Sequence, residues 1–324
     1  MKLRIFVTSL RTFAGPGYRP PLLTSMALHN DLSHRRRLLS AWATDRVRQQ
    51  ESFQAELIKA RRIVVLTGAG VSAESGIPTF RGAGGFWGKY SATELATYGA
   101  FVRDPSLVWT FYEYRRATVL QTKPNPGHVA LAETEAVLEN NEKKLTIVTQ
   151  NIDGLHQRAG SKNVIEIHGS LFKTECTKCR KVEENLQVPI CDALKDARMP
   201  DADNEQLKIP EEQLPRCGSC GGLLRPHVVW FGENLDEEVL KRVYQELGSC
   251  DLCLVVGTSS VVYPAAMFAP HVAARSVSVA EFNMELTGGA DASNYLFLGP
   301  SGKTLPEALA PLLKALQKAE NLVF

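Results

Sequence analysis

Two cysteine pairs, Cys176-Thr-Lys-Cys179 and Cys217-Gly-Ser-Cys220, stand 37 residues apart, each in a turn-forming setting that lets two thiolates face one ion. Four such sulfurs suit tetrahedral Zn²⁺. A closed set of thiolates leaves no position for an activated water, so the metal would be structural. Disulfides or a redox dithiol are the competing readings. A third pair, Cys250 and Cys253, runs straight into the apolar strand Leu254-Val255-Val256 with no glycine to turn the chain, and reads as core thiols. Cys191 is left without a role.

Gly68-Ala69-Gly70-Val71-Ser72-Ala73 follows an apolar run and opens a helical one, the context in which a glycine-rich turn lets backbone amides approach a pyrophosphate. It departs from the ordinary dinucleotide fingerprint, because no second strand ending in an acid follows about 20 residues on. A loop carrying Phe80 and Arg81 comes instead. Gln150, Asn151 and Asp153 begin where Ile147-Val148 ends, and His168 ends the run Val164 to Ile167. An amide and a carboxylate can hold a carboxamide and a ribose, and a neutral imidazole can take a proton from a sugar hydroxyl. Taken alone, His168 reads as a structural histidine; its strand-end neighbours reverse that. His128, His156 and His227 have no comparable constellation and read as structural.

Val108, Tyr112, Arg115 and Val119 fall on one helical stripe, with Arg116 about 100° round the axis. A guanidinium on an apolar stripe needs an anion, because burying it unpaired costs several kcal/mol. Either an internal acid or a ligand carboxylate would meet Arg115, assisted by the Tyr112 hydroxyl. An arginine snorkelling over the core edge is the alternative.

These residues need elements to hold them. Apolar runs at Ile63 to Leu66, Leu145 to Val148, Val164 to Ile167, Leu252 to Val256 and Val277 to Val279 are separated by helix-length segments, which predicts an α/β fold with a parallel sheet. Ser52 to Arg62 reads as a leading helix and Leu305 to Lys318 as a closing amphipathic one. Polar and glycine-rich residues follow all five runs. Ligands in such folds sit beyond the carboxyl ends of the strands, so one shared crevice is expected. Residues 91–122, helical and aromatic, and 172–226, rich in Cys, Pro and charge, read as insertions in a domain spanning 52–324.

The chain has 324 residues, 44% hydrophobic and 22% charged, with a net charge of +2. That balance disfavours nucleic-acid or membrane-surface binding, and no apolar stretch approaches the roughly 20 residues of a spanning helix. Residues 1–30 hold Lys2, Arg4, Arg11 and Arg19 and no acid, and Arg35, Arg36 and Arg37 follow. Residues 1–45 therefore read as a mitochondrial presequence and disordered N-terminus, excluded from the fold. A secretory signal fits worse, because the arginines break any apolar core.

The runs GAGVSAESGIPTFRG, TQNIDGLH, HGS, HVVWFGE and GTSS, with the two CxxC pairs, together resemble the sirtuins, NAD-dependent protein-lysine deacylases, over about residues 52 to 310. Tyr112 and Arg115, with Ala96 upstream, resemble the class III branch, which removes succinyl, malonyl and glutaryl groups. The resemblance implies a Rossmann-like parallel-sheet domain carrying a smaller zinc-binding and helical module, with substrate and cofactor meeting in the cleft between them. It implies that Gly68, Ala69, Gly70, Ser72, Ala73, Glu74, Gly76, Phe80, Arg81, Gln150, Asn151, Asp153, Gly257, Thr258, Ser259, Asn283 and Ser301 hold NAD. Val229, Trp230, Phe231, Glu233 and Tyr263 would flank the acyl-lysine. His168 would be the base, with Asn151 and Asp153 beside the nicotinamide, and Arg115 would meet the distal carboxylate of the acyl chain, for which a small Ala96 leaves room. A matrix location, with cytosol and nucleus as further compartments, a monomer, and acylated proteins as partners follow. A protein ADP-ribosyltransferase and a non-catalytic NAD-sensing module are the alternatives.

Overall fold

Strand β1 (Arg62–Thr67) sends Ile63 and Val65 to one side of its sheet and Val64 and Leu66 to the other, and that alternation divides the large lobe into two hydrophobic layers. The structure, a computed structural model, describes residues 48–79, 85–198 and 208–320. The expected presequence, Phe80 and Arg81 lie outside the described residues. The chain divides after residue 49, and all that follows concerns the unit from Gln50 onward.

Helix α1 (48–59) leads into β1. It stops short of the expected Arg62 because the Arg61 and Arg62 amides donate to the Asp251 carboxylate and start the strand instead. Next come α2 (Ala69–Ala73), the hairpin β2 (Phe86–Trp87) and β3 (Tyr90–Ser91), and helices α3 (Ala92–Leu95), α4 (Tyr98–Arg103) and α5 (Pro105–Gln121). The chain continues through α6 (Pro126–Asn140), β4 (Lys144–Thr149), α7 (Leu155–Arg158) and β5 (Val164–Glu166). Strands β6 (Gly169–Cys176), β7 (Val182–Glu184) and β8 (Leu224–Val228) form a separate antiparallel sheet in the order β7-β6-β8. The chain closes with α8 (Glu237–Ser249), β9 (Leu252–Val256), α9 (Phe268–Ala273), β10 (Ser278–Asn283), β11 (Tyr295–Leu298) and α10 (Ser301–Glu320).

The main sheet is parallel, in the order β11-β10-β9-β1-β4-β5. Both of its faces are covered, as parallel sheets require. Phe53 and Leu57 of α1, Leu131 and Leu138 of α6 and Leu305 and Leu309 of α10 pack on one face. Val243 and Leu247 of α8 and Phe268 and Val272 of α9 pack on the other. The α/β expectation holds. Strand β11 is the element the sequence reading lacks: it lies at the sheet edge with mostly half-buried residues, and its apolar run Tyr295-Leu296-Phe297-Leu298 is only four residues long. The small antiparallel sheet also reaches from 169 to 228, wider than the expected 172–226.

Cys250 and Cys253 are buried in the layer under α8 and α9, and burial pushes both thiols up from their ordinary value. Among the described residues, no helix is long and apolar enough to cross a membrane.

The small lobe has its own core, in which Trp109, Tyr112 and Trp230 meet Leu171, Phe172 and Leu194. Helix α5 is buried on more than the one stripe expected of it. Arg116 is only 1% exposed. Its guanidinium donates to the carbonyls of Leu171, Asn185 and Gln187 and lies 3.5 Å from the Glu113 carboxylate. Those acceptors offset the cost of burying the charge, and they tie α5 to β6 and to the segment after β7.

Candidate active site

Strand β1 is followed in sequence by strands on one side of it and later by β9, β10 and β11 on the other, so the topological switch point lies between β1 and β9. The loops after these two strands touch. Gly70 N–H donates to Gly257 O at 2.7 Å, and a Cβ built on Gly70 would lie 2.8 Å from the Gly257 Cα. Gly257 has a φ of +59°, and its own Cβ would come within 2.3 Å of the Val71 nitrogen. Neither position tolerates a side chain, and that is why the turn carries glycine on both strands.

A cavity of about 1050 Å³ opens at this point. Gly68, Ala69, Gly70, Ser72, Gln150, Asn151, Asp153, His168, Gly257, Thr258, Ser259 and Asn283 line it from the sheet ends, and Ala96, Tyr112 and Arg115 from the helical segment. Val229, Trp230, Phe231, Glu233 and Tyr263 complete the wall. Ala73, Glu74, Gly76 and Ser301 are not on it. The Glu74 carboxylate accepts from Ser301 Oγ and the Gly302 amide, both at 2.9 Å, and so fastens the loop after β1 to the start of α10.

Polar groups converge below the glycine turn. Asn151 Nδ2 donates to Gly68 O and Ser72 Oγ, each at 3.1 Å, while Asp153 accepts from the Leu155 amide at 2.9 Å and also bonds Ser72. His128 Nε2 is 3.4 Å from Ser72 Oγ, and His156 Nε2 is 3.0 Å from Thr67 Oγ1. The two rings stand 4.8 Å apart. Burial pushes His128 down to about 4 and His156 to about 3, so both are neutral hydrogen-bonding props at neutral pH. Nothing local in the sequence reveals that they support this turn. Burial raises the Asp153 carboxyl.

His168 follows β5, and its Nδ1 lies 3.0 Å from Gln150 O. A carbonyl can only accept, so Nδ1 carries the proton and Nε2 keeps its lone pair. Burial lowers its pKa from the ordinary imidazole value, and the Gln150 carbonyl opposes that shift in part.

At the other end of the cavity, Tyr112 is buried and its hydroxyl accepts from Trp230 Nε1 at 2.9 Å. Burial lowers the Arg115 pKa, while the Asp153 carboxylate acts to sustain its charge. The chain from β8 onward is stitched to both lobes: Val229 N–H donates to His168 O at 2.9 Å and Phe231 N–H to Ala96 O at 3.0 Å. Arg225, which the sequence reading left out, grips the Glu233 carboxylate at 2.6 and 2.8 Å and lies 3.6 Å from the centre of the Trp230 ring. The Glu233 carboxylate also accepts from the Trp230 amide at 2.9 Å.

The four cysteines of the two CxxC pairs gather at the end of β6 and the turn before β8, with their sulfurs within 4.8 Å of one another. The Cys176 and Cys220 sulfurs are 3.5 Å apart and those of Cys179 and Cys217 are 3.7 Å apart. A tetrahedron of sulfurs around zinc has edges of about 3.8 Å. The donor set therefore fits Zn²⁺ with no open position. Backbone amides of Cys179 and Lys178 donate to Cys176 Sγ and lower the pKa of that thiol. A strong chelator is expected to unfold the β6-β7-β8 sheet, seen as new protease cleavage within 169–228. Loss of catalysis with that segment still protected would instead mean that the metal takes part in the chemistry.

A model of the Sir2 family matches residues 68–264. The protein named NAD-dependent protein deacylase sirtuin-5, mitochondrial, from Canis lupus familiaris is 61% identical over 80% of this chain and 84% of its own length. A crystal structure of a Sir2 homologue in complex with NAD is 40% identical, with a TM-score of 0.71 over 82% of this chain and 94% of that one. A mutant Sir2 homologue in complex with 2'-O-acetyl ADP ribose is 39% identical, with a TM-score of 0.72 over 82% and 97%.

Proposed function

The chain belongs to the Sir2 family, and from that premise we propose that it removes acyl groups ending in a carboxylate, such as succinyl, malonyl and glutaryl, from protein lysines in the mitochondrial matrix. It is an NAD-dependent protein-lysine deacylase. The single observation that carries the selectivity is the placement of Arg115 and the Tyr112 hydroxyl on the wall of the cavity that also holds His168.

The cavity fits a dinucleotide: the β1 and β9 turns are stripped of Cβ atoms where they meet, and their loops form its wall. When bound, NAD supplies an electrophilic ribose carbon with nicotinamide as its leaving group, and a hydroxyl onto which the acyl group is passed. Gly68 to Ser72 and Gly257 to Ser259 would hold its phosphates and ribose. Asn151 and Asp153, fixed by Gly68 O, Ser72 and the Leu155 amide, would orient the carboxamide. Phe80 and Arg81 would cover it from the loop after the glycine turn. Ala73, Glu74, Gly76 and Ser301 support the turn from outside the cavity. Val229, Phe231 and Tyr263 would flank the acyl-lysine, with Ala96 leaving room for the longer chain. His168 Nε2 is the base that accepts the ribose hydroxyl proton, and its Nδ1–H stays with Gln150 O.

This assignment fixes the sign of the pH dependence. His168 works only when neutral, and its folded pKa lies below the ordinary 6.5. Turnover should therefore hold through neutral pH and fall only as pH drops below that lowered value. A pH profile of kcat/KM with a succinyl-lysine peptide checks it, and an acid limb at or above 6.5 would contradict it.

Product analysis with NAD and a succinyl-lysine peptide tests the reaction itself. The expected products are free lysine peptide, nicotinamide and succinyl-ADP-ribose. ADP-ribosylated peptide would mark a transferase instead. The presequence reading places the protein in mitochondria, and the canine relative carries that location in its name. The matrix, a monomeric state and the domain limits 52–324 belong to the same proposal.

A further inference from the structure

The Tyr112 hydroxyl has one proton and two lone pairs, and what it offers a ligand depends on which of them its neighbour takes. Trp230 Nε1 is a donor and nothing else. It lies 2.9 Å from the Tyr112 oxygen and, among the described residues, is the one hydrogen-bond partner of that hydroxyl. Both side chains line the cavity, and each is at most 2% exposed. With one lone pair taken by the indole, the phenolic proton is left for whatever enters the cavity. Burial pushes the phenol up to about 12, so the proton is always present.

The indole is itself held in place. Arg225 covers one side of its ring, 3.6 Å from the centroid, and Phe101 packs against it at 5.3 Å between centroids. Arg225 is locked by the Glu233 carboxylate at 2.6 and 2.8 Å and by Val228 O at 3.0 Å. Glu233 also takes the Trp230 amide. The indole N–H therefore has little freedom to leave the tyrosine oxygen.

We infer that Trp230, braced by Arg225 and Glu233, is a positioning residue that directs the Tyr112 hydroxyl proton away from the indole and toward the distal carboxylate of the acyl-lysine. This rests on the reading of Tyr112 and Arg115 as the acyl-carboxylate site. It gives Trp230 and Glu233 a role in acyl selectivity beyond flanking the lysine. Without the indole N–H, nothing fixes the direction of the hydroxyl proton, and holding it on the carboxylate costs rotational freedom.

The test is a double-mutant cycle on the intact chain, reading the succinyl-to-acetyl ratio of kcat/KM with NAD. Trp230→Phe keeps an aromatic ring and removes the donor. It should lower the ratio roughly three- to tenfold, mainly through the KM of the succinyl peptide. In a Tyr112→Phe background the same change should leave the ratio unmoved. Replacing Trp230 by benzothienylalanine, which keeps the shape and lacks the N–H, should act as Trp230→Phe does and serves if the phenylalanine variant folds poorly. A ratio that Trp230→Phe leaves unaltered, or lowers equally in both backgrounds, overturns the relay while leaving the acyl site standing. A ratio that Tyr112→Phe itself leaves unaltered overturns the acyl-site reading, and the relay with it.

Discussion

Replacing His168 with alanine is expected to lower the kcat of deacylation by about 10²–10⁴-fold, the range for loss of a positioned general base. NAD affinity should stay near that of the unaltered protein. The separation of the two effects follows from the geometry. Among the described residues, the His168 side chain makes one hydrogen bond, through Nδ1 to Gln150 O, whereas the turns that would hold the phosphates are fixed to each other by Gly70 and Gly257. Deleting the imidazole removes Nε2 from the cavity and disturbs neither turn. Single-turnover kinetics beside calorimetric NAD titration would check the prediction. A parallel collapse of NAD binding would recast His168 as a structural residue that holds Gln150.

The second large effect concerns the acyl group. Arg115→Met keeps an unbranched apolar stem and removes the guanidinium. A charge-assisted, bidentate contact is worth on the order of 1.5–3 kcal/mol, so succinyl-lysine turnover should fall by about 10- to 150-fold relative to acetyl-lysine. The Asp153 carboxylate also acts on the Arg115 charge. If Asp153 rather than the substrate were the anion that Arg115 serves, the variant would disturb the nicotinamide end of the cavity and both peptides would lose equally. Equal losses would therefore refute the pocket assignment. Parallel assays of the two peptides at saturating NAD separate these outcomes.

What the sequence disclosed, it disclosed locally. Apolar runs such as Leu252 to Val256 became strands because a buried parallel strand needs little beyond a continuous hydrophobic stretch. The glycine turn after β1 and the two CxxC pairs were legible for the same reason: backbone approach and shared ligation are written into short spacings. Edge strand β11 carries the same kind of mark in Tyr295 to Leu298, but the run is short and less deeply buried, and the sequence reading passed over it.

The support of the site was hidden because it is made over long sequence separations. His128 reaches Ser72 across 56 residues, and Trp230 reaches Tyr112 across 118. Arg116 shows the limit of a helical-wheel argument. Its angle from the Arg115 stripe was correct, but only the fold reveals that a second interface waits there with three carbonyl acceptors. Arg225 likewise gave no signal in sequence, since its significance lies in the Trp230 ring it covers and the Glu233 carboxylate it holds.

The claim that organises the site is that a cation and a phenol, set opposite a dinucleotide cleft, choose acyl chains by their terminal charge. The most direct measurement is kcat/KM of the unaltered protein with NAD on one peptide bearing acetyl-lysine or succinyl-lysine. A succinyl preference of about tenfold or more is the expected result, given the strength of one charge-assisted contact. Equal rates, or faster removal of acetyl, would contradict it.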